Sequence, residues 1–230
     1  MKILALETST ESGSVALLDG ERMIEHAVVG RPGHSETLLP ATCRLLRDAG
    51  VALADLDAIA FGAGPGAFTG LRLACGVAQG LAMGANKPVV PVGTLEALAS
   101  QCEASAIFVA VDARMSEVYF AAFRREGGVL RECVAPACAV PGAVALPADG
   151  EWFGFGSAFG AYPDALLPAL GDRLVGFDAT PVPLASSIAR LAAGRLARGD
   201  VVDAALAAPL YVRDKVAMTT AERLARGGKA

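Results

Sequence analysis

The chain has 230 residues, 53% of them hydrophobic and 19% charged, with a formal net charge of −4. It is too apolar and too weakly charged for disorder, and long enough for one large domain or two small ones. The acidic balance is unlike that of a free-standing nucleic-acid binder, which shows a basic patch or stripe, so any nucleic-acid role should need a partner.

In chain order, KILALETST and SGSVALLDG read as two short β-prone runs joined by a small polar turn, and ERMIEHAVVG as a third strand of an antiparallel meander. After RPGHSE, residues Leu38, Leu39, Thr42, Leu45, Leu46 and Ala49 recur at helical spacing up to Gly50, a C-cap. Pro40 lacks an N–H and belongs in a first turn, so the regular helix is expected to begin near Thr37 or to kink there. Asp57 to Phe61 predicts a fourth strand running into GAGPGAFTG. Leu71 to Met83 is apolar nearly all round, which predicts a helix buried on most faces. Lys87 to Val92 reads as a fifth strand, and Thr94 as the cap of the helix TLEALASQ. The second half opens in the same way, with AIFVAVDAR and EVYFAAFRR around a turn at Met115 and Ser116. From Gly127 to Gly150 the Pro, Gly and Ala content predicts a long irregular connection. EWFGFGSAF reads as a strand, Ser186 to Arg198 as a helix and APLYVRDKVA as a C-terminal segment. Two hairpin-led halves imply a duplicated α/β architecture, the second degenerate.

No membrane span is expected. The longest uncharged run, Cys133 to Ala148, has 16 residues and contains three prolines. The N-terminus lacks the apolar stretch of a signal peptide, so a cytoplasmic protein is expected. Cysteines 43, 75, 102, 133 and 138 form no CxxC pair and read as small core residues. His26 and His34 are the only histidines, and no carboxylate cluster sits beside them at metal-ligand spacing.

Two stretches carry chemistry. The Thr8, Ser9, Thr10 turn offers amides and hydroxyls that could surround phosphate oxygens, with Glu7 at the strand end where sites of this kind usually hold Asp. The plainer reading is a polar hairpin turn. In the loop GAGPGAFTGLR, Gly62, Gly64, Pro65, Gly66, Phe68, Thr69, Gly70 and Arg72 form a glycine-rich strand-to-helix turn. It has no GKS or GKT and so is not a Walker motif. So many glycines imply close approach to another group. Further on, Gly76, Gly80 and Gly84 recur every four residues, each costing about 1 kcal/mol in a helix interior. Only close packing offsets that cost, on the chain's own sheet or on a partner helix.

Together, ILALETSTESGSVAL, GAGPGAFTGLR, VDARMSEVYFA and APLYVRDKVA, in this order from Lys2 to Ala217, resemble the TsaB (YeaZ) family, partner subunits in bacterial threonylcarbamoyladenosine (t6A) tRNA modification. The resemblance implies the acetate kinase, sugar kinase, Hsp70 and actin-like fold: an N-terminal lobe over residues 1–102 and a C-terminal lobe over 103–230, each on a mixed five-stranded sheet, with room for the C-terminal segment to pack back on the first lobe. It implies a non-catalytic scaffold that binds the catalytic subunit TsaD, works with TsaE, meets tRNA only through the complex and pairs with itself in isolation. It implies no cofactor of its own, with at most a weak nucleotide contact at Glu7, Thr8, Ser9 and Thr10. The metal-binding HxxxH histidines of TsaD align with Thr94 and Leu98, neither of which replaces an imidazole. The expected interface lies on the helices after His34 and Thr69: His34, Leu38, Leu39, Leu71, Gly76, Gly80 and Leu81. A small-molecule kinase of the same fold group is the alternative, and a metallopeptidase a remoter one.

Overall fold

The structure is a computed structural model, and it describes residues 1–28 and 33–213. Val29 to Pro32, and the part of the C-terminal motif from Asp214 to Ala217, lie outside the described residues. The core is two five-stranded mixed sheets of identical plan. In the first, β1 (Lys2–Glu7), β2 (Gly13–Asp19) and β3 (Arg22–Val28) form an antiparallel meander. Strands β4 (Ala58–Gly64) and β5 (Val89–Gly93) add in parallel on the other side of β1, giving the order β3-β2-β1-β4-β5. In the second, β6 (Ala106–Asp112), β7 (Val118–Glu126) and β8 (Val129–Ala139) repeat the meander. Strands β9 (Trp152–Phe155) and β10 (Leu174–Asp178) repeat the parallel pair. This repeated topology is the expected two-sheet α/β fold. The second half is reduced in its helices, with a single 3-10 turn at Pro141–Ala143 between β8 and β9.

The helices cover the sheets as their apolar spacing requires. Helix α1 (His34–Ala49) buries Leu38, Thr42, Leu45 and Leu46 and ends at Gly50, whose φ of 67° is left-handed. It starts three residues before the expected Thr37, with Pro40 inside it. The first turn is anchored by Leu38, fully buried, and by His34 Nε2, 3.1 Å from the Thr10 carbonyl oxygen. These contacts offset the backbone hydrogen bond that Pro40 cannot donate.

Helix α2 (Phe68–Ala85) buries Gly70, Leu71, Ala74, Cys75, Ala78 and Ala82, while Arg72, Gly76, Gly80, Met83 and Gly84 are exposed. The expectation of burial on most faces does not hold. Small residues let one side of α2 lie close to the sheet, and none of the described residues covers the exposed positions on the other.

Helix α3 (Thr94–Ser100) begins after Gly93, which occupies the N-cap position, and no side chain caps it. Thr94 is therefore its first helical residue rather than its cap. Between β9 and β10 lie two short helices, α4 (Ala158–Ala161) and α5 (Pro163–Leu170). Helix α6 (Ala185–Arg198), although late in the chain, returns to the first sheet. Its Ala185, Ile188, Ala189 and Ala192 pack on Ile3, Ala5, Ala16, Ala60 and Val92.

Two further expectations are corrected. The stretch from Gly127 to Gly150 is irregular only in its second half, because Val129–Ala139 forms the 11-residue edge strand β8 and the chain from Val140 to Gly150 holds no more than a 3-10 turn. The register of β8 shifts near Cys133 and Pro136, and at an edge-strand bulge a proline breaks no interior ladder. Of the five cysteines only Cys75 and Cys102 are buried. Cys43 and Cys133 are exposed on α1 and β8, and Cys138 is half-buried.

Candidate functional site: the cleft and the outer face of α2

Two hairpin turns, β1–β2 and β6–β7, face each other across a cleft of about 510 Å³ whose lining includes Ser9, Thr10, Phe68, Thr94, Asp112 and Arg114. That volume is within the range of small-molecule sites. The glycine loop holds the first turn in place. A methyl group at Gly66 would lie 2.6 Å from Ser9 Cβ, and one at Gly70 would collide with the Thr8 carbonyl oxygen. Thr8 Oγ1 in turn donates to the Gly70 carbonyl at 2.8 Å. Gly64, at φ 113°, faces the Leu210 carbonyl and precedes a cis peptide bond to Pro65. The close approach implied by so many glycines is thus made to the chain's own first turn.

Glu7 is fully buried at the end of β1 and points into this packing rather than into the cleft. Its Oε1 accepts from the Ser9 amide at 2.5 Å, and its Oε2 has no hydrogen-bond partner among the described residues. Burial raises the carboxyl above its ordinary value, against the opposing pull of hydrogen bonds from Ser9 and Thr8. Thr8 and Ser9 are likewise buried, and of the two turn residues that line the cleft, Ser9 and Thr10, only Thr10 is partly exposed. Of the four residues expected to contact a nucleotide, the fold therefore presents Ser9 and Thr10 to the cleft.

The second turn contributes charge. Residues Arg114, Met115 and Ser116 all have positive φ. Arg114 Nη2 reaches Glu11 Oε1 across the cleft at 2.6 Å, and Asp112 Oδ1 accepts from Tyr162 Oη at 2.8 Å. Along one wall runs the described end of the C-terminal motif. The Leu210 amide donates to the Ala63 carbonyl at 2.7 Å, Tyr211 sits beside Phe68, and Arg213 Nη2 pairs with Glu117 at 2.6 Å. Asp112, Arg114, Tyr211 and Arg213 were not among the expected site residues. Their signal lay in the VDARM and APLYVR motifs, but those runs do not reveal that they meet.

Thr94 lines the cleft with its hydroxyl buried and without a partner among the described residues, and Leu98 is wholly buried. A buried hydroxyl and an alkyl group are not a ligand pair for a metal ion. Among the described residues no three His, Cys, Asp or Glu side chains gather as metal ligands, and no helix there is long and apolar enough to cross a membrane.

The expected interface residues divide by burial. Leu38 and Leu71 are in the core, His34 is half-buried against Gly13, and Leu81 is half-buried against the first core. Leu39, Gly76 and Gly80 face outward. Methyl groups at Gly76, Gly80 and Gly84 would meet nothing within 4 Å, so these glycines are not required by packing on the chain's own sheet.

The sequence profile described as "TsaD: tRNA N6-adenosine threonylcarbamoyltransferase" matches residues 29–152. The Escherichia coli tRNA threonylcarbamoyladenosine biosynthesis protein TsaB is 35% identical over 225 residues, which cover 94% of this chain and 96% of that protein. The Haemophilus influenzae protein of the same name is 45% identical over 131 residues, 55% of each chain. Among solved structures, YeaZ from Pseudomonas aeruginosa superposes with a TM-score of 0.83 at 42% identity, covering 91% of this chain and 99% of that one. With matched sequence and matched architecture over nearly its whole length, the chain belongs to the TsaB (YeaZ) family.

Proposed function

We propose that this protein serves tRNA threonylcarbamoyladenosine biosynthesis as a non-catalytic partner subunit. In this reading it binds the threonylcarbamoyltransferase TsaD and acts with TsaE, and it meets tRNA only through that complex. The cytoplasm is its compartment, residues 1–102 are its interaction lobe, and in isolation the same surface pairs two copies. The names of its relatives support the pathway. The supporting structural observation is the outer face of α2, where three glycines one turn apart stand open to solvent while the opposite face is buried. Glycine costs about 1 kcal/mol per site in a helix, and a helix laid closely along that ridge would offset it. Leu39 and Met83 add exposed apolar surface on α1 and α2. The lack of a ligand pair at Thr94 and Leu98 agrees with a supporting rather than a catalytic role. Ser9 and Thr10 offer at most a weak contact to a nucleotide.

The test is a reconstituted modification assay with TsaD, TsaE and a supply of threonylcarbamoyl-adenylate, with this protein present or omitted. Modified adenosine that forms only in its presence is the expected result. Equal product without it overturns the reading.

A further inference from the structure

Arg72 is the single charged residue of α2, whose sequence FTGLRLACGVAQGLAMGA contains no Asp or Glu. It lies one turn before Gly76, on the same exposed side. Long cationic side chains on a surface are normally mobile, and ordering one costs side-chain entropy. Here the guanidinium is already held. Its carbon lies 3.9 Å from the Phe68 ring centroid, and its Nε donates to Tyr211 Oη at 2.9 Å. Phe68 and Tyr211 pack with ring centroids 5.7 Å apart, and Tyr211 is fixed in turn by the Leu210 amide on the Ala63 carbonyl. The Nε bond and the ring face leave the two terminal nitrogens side by side. Among the described residues no carboxylate pairs with them.

A planar guanidinium oriented in advance is suited to two parallel hydrogen bonds from one carboxylate, and loses little freedom in forming them. We infer that Arg72 is the charged anchor of the α2 face and receives a carboxylate side chain from a different protein docked along the glycine ridge. The inference rests on the reading that this face meets a partner, and adds what that partner must carry. A second copy laid α2 against α2 cannot supply the acid from that helix, because it has none. The acids a second copy could offer lie off that helix, as Glu36 and Asp48 do on α1, so the occupant that lays a helix on the ridge and meets Arg72 is the heterologous partner of that reading, carrying an Asp or Glu on the docked helix. This also gives the C-terminal motif a purpose, since Tyr211 sets the aim of Arg72.

The experiment is calorimetric titration of the full chain into purified TsaD of the same organism, at low and high salt, with far-ultraviolet circular dichroism confirming each variant's fold. Arg72→Glu is expected to weaken binding by about 30-fold or more and Arg72→Lys by about tenfold, because a point charge does not replace the fork. Arg72→Gln should flatten the salt dependence. Tyr211→Phe should weaken binding a few-fold in the wild-type background and not at all in Arg72→Gln. Gly80→Arg serves as the control for the face itself. If Gly80→Arg abolishes binding while Arg72→Glu binds as wild type, the anchor is refuted and the interface stands. If neither variant changes the affinity, both readings fall.

Discussion

The Glu7 carboxylate rests directly on the Cα of Gly62, so that β1 and β4 fit together only because position 62 has no side chain. Glycine at 62 and the longer acid at 7 are one structural unit. Gly62→Ala is expected to destabilise the fold by about 1–3 kcal/mol through overpacking. Shortening the acid should relieve it, so Gly62→Ala should cost less in a Glu7→Asp background. A urea-melt double-mutant cycle measures this, and additive losses would refute the coupling.

The same carboxyl makes stability depend on pH. Burial raises its folded-state pKa above the ordinary 4.5, so between the two values the folded chain keeps a proton that the unfolded chain has released. Its stabilising contribution is complete below pH 4.5 and is lost as pH rises through the folded value, with a slope of at most about 1.4 kcal/mol per unit. Glu7→Gln, neutral at every pH, should be more stable than wild type at pH 7 and should lack this slope. A lower melting temperature for Glu7→Gln at pH 7 would contradict the sign.

Pro40 deprives α1 of one backbone hydrogen bond in its second turn while facing solvent. Pro40→Ala restores the donor at an exposed site, and the expected gain is about 1–3 kcal/mol. Thermal melting with amide exchange at position 40 checks it. An unchanged melting temperature would mean that local distortion of the helix had already absorbed the strain.

An arginine at Gly80 would project into open space, because nothing lies within 4 Å of a methyl group there. Gly80→Arg should therefore fold with a melting temperature near wild type and yet elute as a monomer and fail to bind its partner. A variant that melts normally and still associates normally would show that the ridge is not an interface.

The chain alone should hydrolyse ATP no faster than buffer, since Glu7 is turned away from the cleft and into the β1–β4 packing. Phosphate-release assays check this. Turnover that Glu7→Ala abolishes would refute it.

The sequence made the first meander, the β6–β7 hairpin, the longer helices and the glycine loop legible, because period-2 and period-3.6 patterns report burial within a single element. β8 was hidden because Pro136 and two register shifts break its alternation, and because an edge strand needs only one apolar face. The outer face of α2 is not legible in the sequence, because glycine and alanine look the same on a helix whether they meet a sheet or solvent. At the site, Ser9 and Thr10 were readable from the turn. The meeting of Arg72, Phe68 and Tyr211 was not, because residues 139 positions apart are joined by tertiary folding alone.

The return of α6 to the first sheet has a consequence for synthesis. Ile3, Ala5, Ala16, Ala60 and Val92 are covered mainly by residues of 185–192, with Ala97 of α3 reaching the same cluster, so most of one side of the first sheet stays bare until α6 has left the ribosome. At about 5–20 residues per second, the stretch from β5 to α6 takes on the order of five to twenty seconds to emerge. During that interval the nascent chain presents an apolar sheet surface, a natural substrate for chaperones. A fragment ending near residue 102 would keep that surface permanently, and would aggregate rather than fold.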